Sequence, residues 1–185
     1  MQQLLGISRA IDGVTGAVGR AVSWLILAVC VVAAGAAILG KIFGAGAYAN
    51  AMLEMQWLMF AAVFLLAAPW TLSSNEHIRI DIVTQRFSKR TRDWIDVVGH
   101  ALFLLPMAGL VLWTSVPFAR LSFAQHEGSS NFGGLPQWPL KALIPVAFAL
   151  LFAQGVSELI KRVAILRGDL ADPAGEHAGG VAQDI

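Results

Sequence analysis

Histidine and carboxylate side chains are the groups of this chain that could bind a metal ion or transfer a proton in a reaction. The four histidines, His77, His100, His126 and His177, are scattered over different regions, so only the fold could bring them together. The sequence contains no P-loop, no glycine fingerprint for a dinucleotide, no Gly-x-Ser-x-Gly elbow and no His-Glu-x-x-His pair. We therefore predict that the chain is not an enzyme and holds no metal ion or cofactor.

The densest group of charged residues forms one block near the middle of the chain. It reads Ser74-Asn75-Glu76-His77-Ile78-Arg79-Ile80-Asp81 and continues with Arg86, Lys89, Arg90 and Arg92. Apolar segments long enough to cross a bilayer flank the block on both sides. The block is therefore expected to be a loop that fixes on which side of the membrane the neighbouring helices end.

The composition indicates lipid rather than water as the surrounding medium. Of the 185 residues, 57% are hydrophobic and 14% are charged, whereas a soluble domain carries about 25% charged residues. A net charge of +1 and the lack of nucleic-acid-binding motifs argue against a nucleic-acid partner. The single cysteine, Cys30, excludes an intramolecular disulfide, and its apolar surroundings in the sequence predict a small buried hydrophobic residue.

Four stretches are apolar over the roughly 20 residues that a helix needs to cross a hydrocarbon core about 30 Å thick. They cover residues 21–43, 55–72, 97–119 and 140–160. Lipid offers no partner to an unpaired backbone group, and the alternation typical of barrel strands is absent, so all four are predicted to be helices. The fold class is therefore an all-α membrane protein, with four transmembrane helices in a domain covering residues 20–165.

The distribution of Lys and Arg predicts the orientation of these helices. Ten of the thirteen such residues lie in the N-terminal tail, in the middle loop or after the fourth span. By the positive-inside rule both termini and the middle loop are cytoplasmic. The first span is long for a signal peptide, and Lys41 separates it from the small residues that follow, so we predict that it is retained.

The two ends of the chain carry weaker patterns. Residues 1–19 mix apolar and polar positions at roughly helical spacing, which suits a cytoplasmic or interfacial helix leading into the first span. The same pattern suits a simple extension of that span. Residues 168–185 are rich in Gly, Ala and Asp without periodicity and are predicted to be a disordered tail.

The middle loop has a helical pattern of its own. Ile80, Val83 and Phe87 are spaced i, i+3, i+7, while Arg79 and Arg86 fall elsewhere on the helical surface. This pattern predicts an amphipathic interfacial helix between the second and third spans, with its basic residues facing anionic lipid head groups. The alternative is a solvated, positively charged turn that only fixes topology.

The apolar cores of the spans contain almost no ionisable groups. Glu54 begins the second span, His100 lies just inside the third, and Glu158 lies close to the end of the fourth. Because an ion pathway normally needs polar groups near the middle of the membrane, a self-contained transporter is not expected.

Small and aromatic residues of the spans suggest packing surfaces and membrane anchors instead. Ala36, Gly40 and Gly44 form one small-residue face on the first span, of the kind that allows close helix packing. The six tryptophans fall mostly near the predicted membrane boundaries and are interpreted as anchors there.

Two groups of motifs resemble a known family. The first group comprises Glu76-His77-Ile78-Arg79-Ile80-Asp81-Ile82, Phe87-Ser88-Lys89-Arg90 and Trp94-Ile95-Asp96. The second comprises Glu127-Gly128-Ser129-Ser130, Gly133-Gly134-Leu135-Pro136, Trp138-Pro139-Leu140-Lys141, Ile144-Pro145 and Gln154-Gly155. Over about residues 20–165 the chain resembles the DctQ-like small membrane subunit of tripartite ATP-independent periplasmic (TRAP) transporters. It departs from the expected pattern at Lys89, where many relatives would carry proline.

The resemblance implies a partnership in the bacterial inner membrane. A periplasmic binding protein would capture an organic acid, and a large membrane subunit would move it with sodium and without ATP. The small subunit would support the large one in the phospholipid bilayer. The residues expected to contact the partner or lipid, or to set orientation, are Glu54, Trp57, Glu76, His77, Arg79, Asp81, Arg86, Trp94, Trp138 and Lys141.

Two alternatives to this function remain open from the sequence. One is an independent small channel or carrier, which would show flux without a partner. The other is a membrane-anchored interaction protein, which would purify without any large membrane subunit.

Overall fold

Five α-helices make up most of the structure, a computed structural model that describes residues 2–44, 46–74 and 89–167. A π-helical turn, His100–Leu104, joins the third helix to the fourth without a break. The helices are α1 (Gln2–Phe43), α2 (Ala47–Ser73), α3 (Lys89–Gly99), α4 (Leu105–Ala124) and α5 (Trp138–Arg167).

Within the described ranges, four helical segments are long and apolar enough to cross a membrane. Three of them are α1, α2 and α5, and the fourth runs from Trp94 to Ala124 through the π turn. The predicted all-α fold class with four membrane helices is therefore confirmed. The predicted interfacial helix falls on residues 75–88 and the predicted tail on residues 168–185, and both lie outside the described residues.

Helix α1 continues without interruption from the N-terminal region into the first apolar stretch. It contains 42 residues, and at 1.5 Å per residue it is about 63 Å long. This is roughly twice the thickness of a hydrocarbon core. Residues 2–19 are therefore part of the same continuous helix as the first span.

Helix α5 lies at the centre of the arrangement. It packs against α1, α2, α3, the π turn and α4, whereas the main neighbours of α1 among the described elements are α2 and α5. The contacts define two ends of the bundle. One end holds the start of α2 and the loop between α4 and α5, and the other holds the N-terminal half of α1 and the last turns of α5.

Proline shapes three of the membrane helices and the π turn. Pro69, Pro117 and Pro145 lie inside α2, α4 and α5. Pro106 lies two residues after the π turn, next to Leu105, whose amide bonds to the His100 carbonyl five residues back. Because a proline ring clashes with the carbonyl four residues earlier, a wider turn at this point accommodates Pro106.

The closest helix contacts involve two glycines outside the small-residue face predicted for the first span. A methyl group added to Gly19 of α1 would lie 2.5 Å from the Trp70 ring of α2. At Gly155 of α5 it would lie 2.9 Å from the Leu104 side chain. These two glycines allow the helices to approach closely.

The predicted small-residue face on the first span does not make such a contact. A methyl group at Gly40 would meet nothing within 4 Å. Ala36, Gly40 and Gly44 instead line an apolar crevice of about 430 Å³ beside Tyr48 and other residues of α2. The prediction for Cys30 was also wrong, because this residue is exposed on α1.

Candidate functional site

Glu54 on α2 is a buried carboxylate that holds the loop between α4 and α5. Its side chain is 3% exposed. Its Oε1 atom accepts hydrogen bonds from the Ser129 hydroxyl and from Asn131 Nδ2, the latter at 2.8 Å. Its Oε2 atom accepts the Leu135 backbone amide at 2.7 Å. Glu54, Ser129, Asn131 and Leu135 are named the Glu54 cluster below.

The loop of the Glu54 cluster is folded tightly enough to present its donors together. The Ser129 amide donates to the Leu135 carbonyl at 3.1 Å, and Gly128 and Pro136 form an isolated bridge. The space beside the Glu54 carboxylate at position 134 is too small for any residue larger than glycine. A methyl group at Gly134 would collide with the Ser129 side chain and lie 2.9 Å from Glu54 Oε2.

Lys141 and Trp138 attach the first turn of α5 to the same loop and to the end of α4. The Lys141 ammonium lies 2.5 Å and 2.6 Å from the two carboxylate oxygens of Glu127 and 4.6 Å from the centre of the Phe118 ring. This ammonium holds the pKa of Glu127 below its ordinary value of 4.5. The Trp138 ring packs edge-on against Phe123 with 5.2 Å between the ring centroids.

The structure thus brings together three of the residues expected from the sequence: Glu54, Trp138 and Lys141. Trp57 lies one turn after Glu54 and lines an open apolar crevice with Val29 and Phe60, which no member of the Glu54 cluster lines. Trp94 is exposed on α3, at the other end of the bundle. The remaining expected contacts lie outside the described residues: Glu76, His77, Arg79, Asp81 and Arg86.

A second buried polar group joins α1 to α5. Asp12 Oδ1 accepts hydrogen bonds from Gln154 Nε2 at 2.8 Å and from the Ser157 hydroxyl at 2.9 Å. Lys161 Nζ lies 3.1 Å from Asp12 Oδ2 and 2.5 Å from Glu158 Oε1. The two carboxylates therefore share one ammonium group.

Further hydrogen bonds extend this group along both helices. Thr15 Oγ1 donates to Gln154 Oε1 at 2.8 Å, and the hydroxyls of Ser8 and Ser157 are 2.7 Å apart. We name the whole group the Asp12 cluster; its members are Ser8, Asp12, Thr15, Gln154, Ser157, Glu158 and Lys161. Next to it, Arg162 Nη2 lies 3.4 Å from Asp96 Oδ2, which connects α5 to α3 as well.

The sequence contained a signal for the Asp12 cluster that our prediction missed. Ser8, Asp12 and Thr15 are spaced i, i+4, i+7, and Gln154, Ser157 and Lys161 are spaced i, i+3, i+7. Such spacing places each set on one face of a helix. Two polar stripes on apolar helices predict a contact between them, because lipid gives polar groups no other partner.

The polar side chains of both clusters attach parts of the chain to one another. Their donors and acceptors are directed at each other across helices or from a loop to a helix, which satisfies polar groups that lipid cannot. Among the described residues there is no group of three or more His, Cys, Asp and Glu side chains that could hold a metal ion.

Comparisons with known proteins agree on one family. The family model described as "Tripartite ATP-independent periplasmic transporters, DctQ component" matches residues 50–164. This region contains the whole Glu54 cluster and the α5 side of the Asp12 cluster, whereas Ser8, Asp12 and Thr15 precede it. No solved structure matches the chain.

Two curated relatives are similar to this chain over part of their length. The "C4-dicarboxylate TRAP transporter small permease protein DctQ" of Pseudomonas aeruginosa is 24% identical over 116 residues, which is 58% of this chain and 55% of that protein. The "Isethionate TRAP transporter permease protein DctMQ" of Oleidesulfovibrio alaskensis is 26% identical over 112 residues, which is 60% of this chain and 17% of that protein. The chain therefore spans less than two thirds of either relative.

Proposed function

The chain belongs to the DctQ-component family of tripartite ATP-independent periplasmic transporters, and from this premise we propose that it is the small permease subunit of such a transporter. In this role it braces a large membrane subunit in the inner membrane. The large subunit moves organic acids, delivered by a periplasmic binding protein, together with sodium ions and without ATP.

The use of the buried polar side chains supports the bracing role. Glu54 is engaged by three donors of one loop, and Asp12 is engaged by donors from α5. A transport site needs polar groups that are free to bind and release a solute near the middle of the membrane. The groups in these two clusters instead fix the positions of helices, which is what a rigid support requires.

The exposed apolar side chains on the outer surface of α4 are consistent with a partner protein within the membrane. Leu110 and Trp113 are exposed on this helix, which has α5 and the π turn as its main neighbours in the described structure. Apolar surface of this kind faces lipid or another membrane protein. We propose that the large subunit contacts exposed apolar surface of this kind, and we do not assign the contact to one helix face.

The substrate class follows from the names of the two relatives. They specify C4-dicarboxylates in one case and isethionate in the other. Both are small organic anions, so we propose an organic anion as the transported solute. We also propose the orientation predicted from the Lys and Arg distribution, in which the Glu54 cluster lies on the periplasmic side, where the binding protein would deliver its solute.

Co-purification from native membranes tests the partnership. A tagged full-length chain is extracted in mild detergent and isolated, and the proteins recovered with it are identified and quantified by mass spectrometry. We expect one large multi-span permease in roughly equal amount. An equally tagged, unrelated four-helix membrane protein serves as the control. Recovery of the chain without such a permease would refute the proposed role.

A further inference from the structure

The N-terminal half of α1 presents three distinct faces. One face is the polar stripe Ser8, Asp12 and Thr15, which is attached to α5 through the Asp12 cluster. This attachment, together with the close contact of Gly19 and Trp70, fixes residues 8–19 alongside the last turns of α2 and α5. The other two faces of this half of the helix therefore have fixed directions.

The second face is apolar and exposed. Leu4, Ile7 and Val14 are 46%, 54% and 55% exposed. Their spacing of three and seven residues places all three on one side of the helix. Next to them, Ile11 and Val14 of α1 and Leu150 of α5 line an open apolar crevice of about 230 Å³. Exposure of this surface to water would be unfavourable, because removing each of these apolar side chains from water lowers the free energy.

The third face is basic. Arg9 and Arg20 are eleven residues apart, which is about three helical turns, so both lie on one side of α1. Arg9 Nε donates to the Leu5 carbonyl at 3.3 Å, and Arg20 Nη1 lies 3.5 Å from where a methyl group on Gly16 would be. Both guanidinium groups thus extend back toward the N-terminus. Neither pairs with an acidic side chain in the parts of the chain described by the structure.

We propose that the N-terminal half of α1 is a binding surface for anionic phospholipids. Leu4, Ile7 and Val14 contact the acyl chains, and Arg9 and Arg20 bind the phosphate groups of the leaflet at this end of the bundle. By helical spacing the apolar and basic faces point in nearly opposite directions, as in helices that lie in a membrane interface. The positive charge of the arginines complements an anionic head group.

The Asp12 cluster gives this surface a property that a free amphipathic helix lacks. A free helix must become ordered when it binds lipid, and the ordering opposes binding. Here the hydrogen bonds to α5 hold the helix in place beforehand. Exposed apolar side chains also occur further along α1 in the first span, such as Val31, which is 71% exposed.

Spin labels on the full-length chain test the position of the two faces. Single cysteines replace Gly13, on the basic side, and Val14, on the apolar side, in a Cys30→Ser background, with Val31→Cys as a reference in the first span. The protein is reconstituted in vesicles of phosphatidylcholine and phosphatidylglycerol. We expect Val14→Cys to be accessible to oxygen, like Val31→Cys, and Gly13→Cys to be accessible to a water-soluble nickel complex.

Three other results would overturn the proposal. Nickel access at both positions would place the helix in water. Shielding from both reagents at Val14→Cys would mean that protein covers this face. Oxygen access at both positions would place the helix in hydrocarbon, away from the phosphate groups. No arginine is changed in this experiment, so its outcome does not depend on how an arginine variant folds.

A lipid titration tests the arginines. The apparent dissociation constant of phosphatidylglycerol is measured by native mass spectrometry for the wild-type chain, for Arg9→Gln/Arg20→Gln, and for the matched control Lys41→Gln at the other end of α1. We expect the double variant to bind about thirtyfold more weakly, because each of the two basic residues contributes about 1 kcal/mol near an anionic surface. The control should stay within about twofold of the wild type.

An equal dissociation constant for the double variant and the wild type would contradict a phosphate-binding role. Both experiments use the chain without a partner. Their failure would therefore leave the proposed transporter role untouched, and the failure of the co-purification would leave the lipid surface untouched.

Discussion

At one end of the bundle a single carboxylate, Glu54, accepts hydrogen bonds from three neutral donors. At the other end two carboxylates, Asp12 and Glu158, share the ammonium group of Lys161. The first arrangement attaches a loop to a helix, and the second attaches two helices that are far apart in the sequence. Both satisfy polar groups in an apolar environment, but they depend on different properties of their residues.

The difference predicts how each cluster responds to change. Glu54 must be an acceptor at both oxygens, because its partners are a hydroxyl, an amide nitrogen and a backbone amide. Members of the Asp12 cluster must instead balance charge, because removing the cation leaves two carboxylates side by side. An isosteric amide should therefore damage the first cluster most, and loss of the lysine should damage the second most.

Glu54→Gln should have the largest effect. Its amide group offers two N–H donors where the loop also offers donors, so at least one buried donor loses its acceptor. We expect roughly a tenfold loss of large subunit recovered with the chain, because charge-assisted hydrogen bonds are the stronger ones. Quantitative co-purification measures this loss. Gln56→Ala, two residues along α2, is the matched control and should retain recovery, whereas normal recovery with Glu54→Gln would show that the loop needs no such anchor.

Two glycines provide a steric test of the same two regions. Gly134→Ala collides with the Glu54 cluster, and Gly19→Ala collides with Trp70 beside the Asp12 cluster. Overpacking typically costs about 1–3 kcal/mol, so both variants should lower the melting temperature of the purified chain in detergent. Gly128→Ala and Gly13→Ala are matched controls, since a methyl group at either meets nothing within 4 Å. Equal melting temperatures for a variant and its control would mean that the close contact relaxes freely.

Charge balance in the Asp12 cluster is tested by two variants and their combination. Lys161→Met should lower the melting temperature more than Asp12→Asn, because it leaves two carboxylates without their cation. The side chains of Lys161 and Asp12 are 23% and 30% exposed, so solvent limits the loss to about 1–2 kcal/mol. The double variant should lose less than the sum of the two single losses. Additive losses would contradict a shared ammonium group.

The ion pair between Lys141 and Glu127 should have the smallest effect and a defined pH dependence. Because the Lys141 ammonium lowers the pKa of Glu127 in the folded protein, the pair contributes stability above the ordinary value of 4.5. This contribution is lost as the pH falls through the lower folded pKa. The difference in melting temperature between wild type and Lys141→Gln should therefore be constant near neutral pH and shrink below about 4.5. A difference that instead vanishes between pH 6 and 8 would point to another group.

Much of the fold could be predicted from the sequence because lipid imposes a simple length rule. About 20 apolar residues must form a helix that satisfies its own backbone, and four such stretches are visible without any knowledge of packing. The rule says nothing about how far a helix continues past the bilayer. For this reason residues 2–19 could be interpreted as a separate segment, although they belong to α1.

The two clusters show why the site was only partly predictable. Glu54 stood out as a carboxylate at the edge of an apolar stretch, but its partners lie in a loop whose folding depends on distant residues. Asp12 lies in the N-terminal segment and Lys161 follows the fourth predicted span directly, so the length rule gave no reason to expect a contact between them. Only their joint spacing reveals that two stripes face each other, and that comparison requires knowing which helices are neighbours.

Uptake by reconstituted vesicles tests the supporting role most directly. The large subunit that co-purifies with the chain is reconstituted with and without it, and the periplasmic binding protein is added outside under an inward sodium gradient. Radiolabelled succinate and isethionate serve as probes, after the names of the two relatives. We predict sodium-dependent uptake when all three proteins are present and none above empty vesicles with this chain alone. Uptake of either probe by the chain alone would contradict a supporting role.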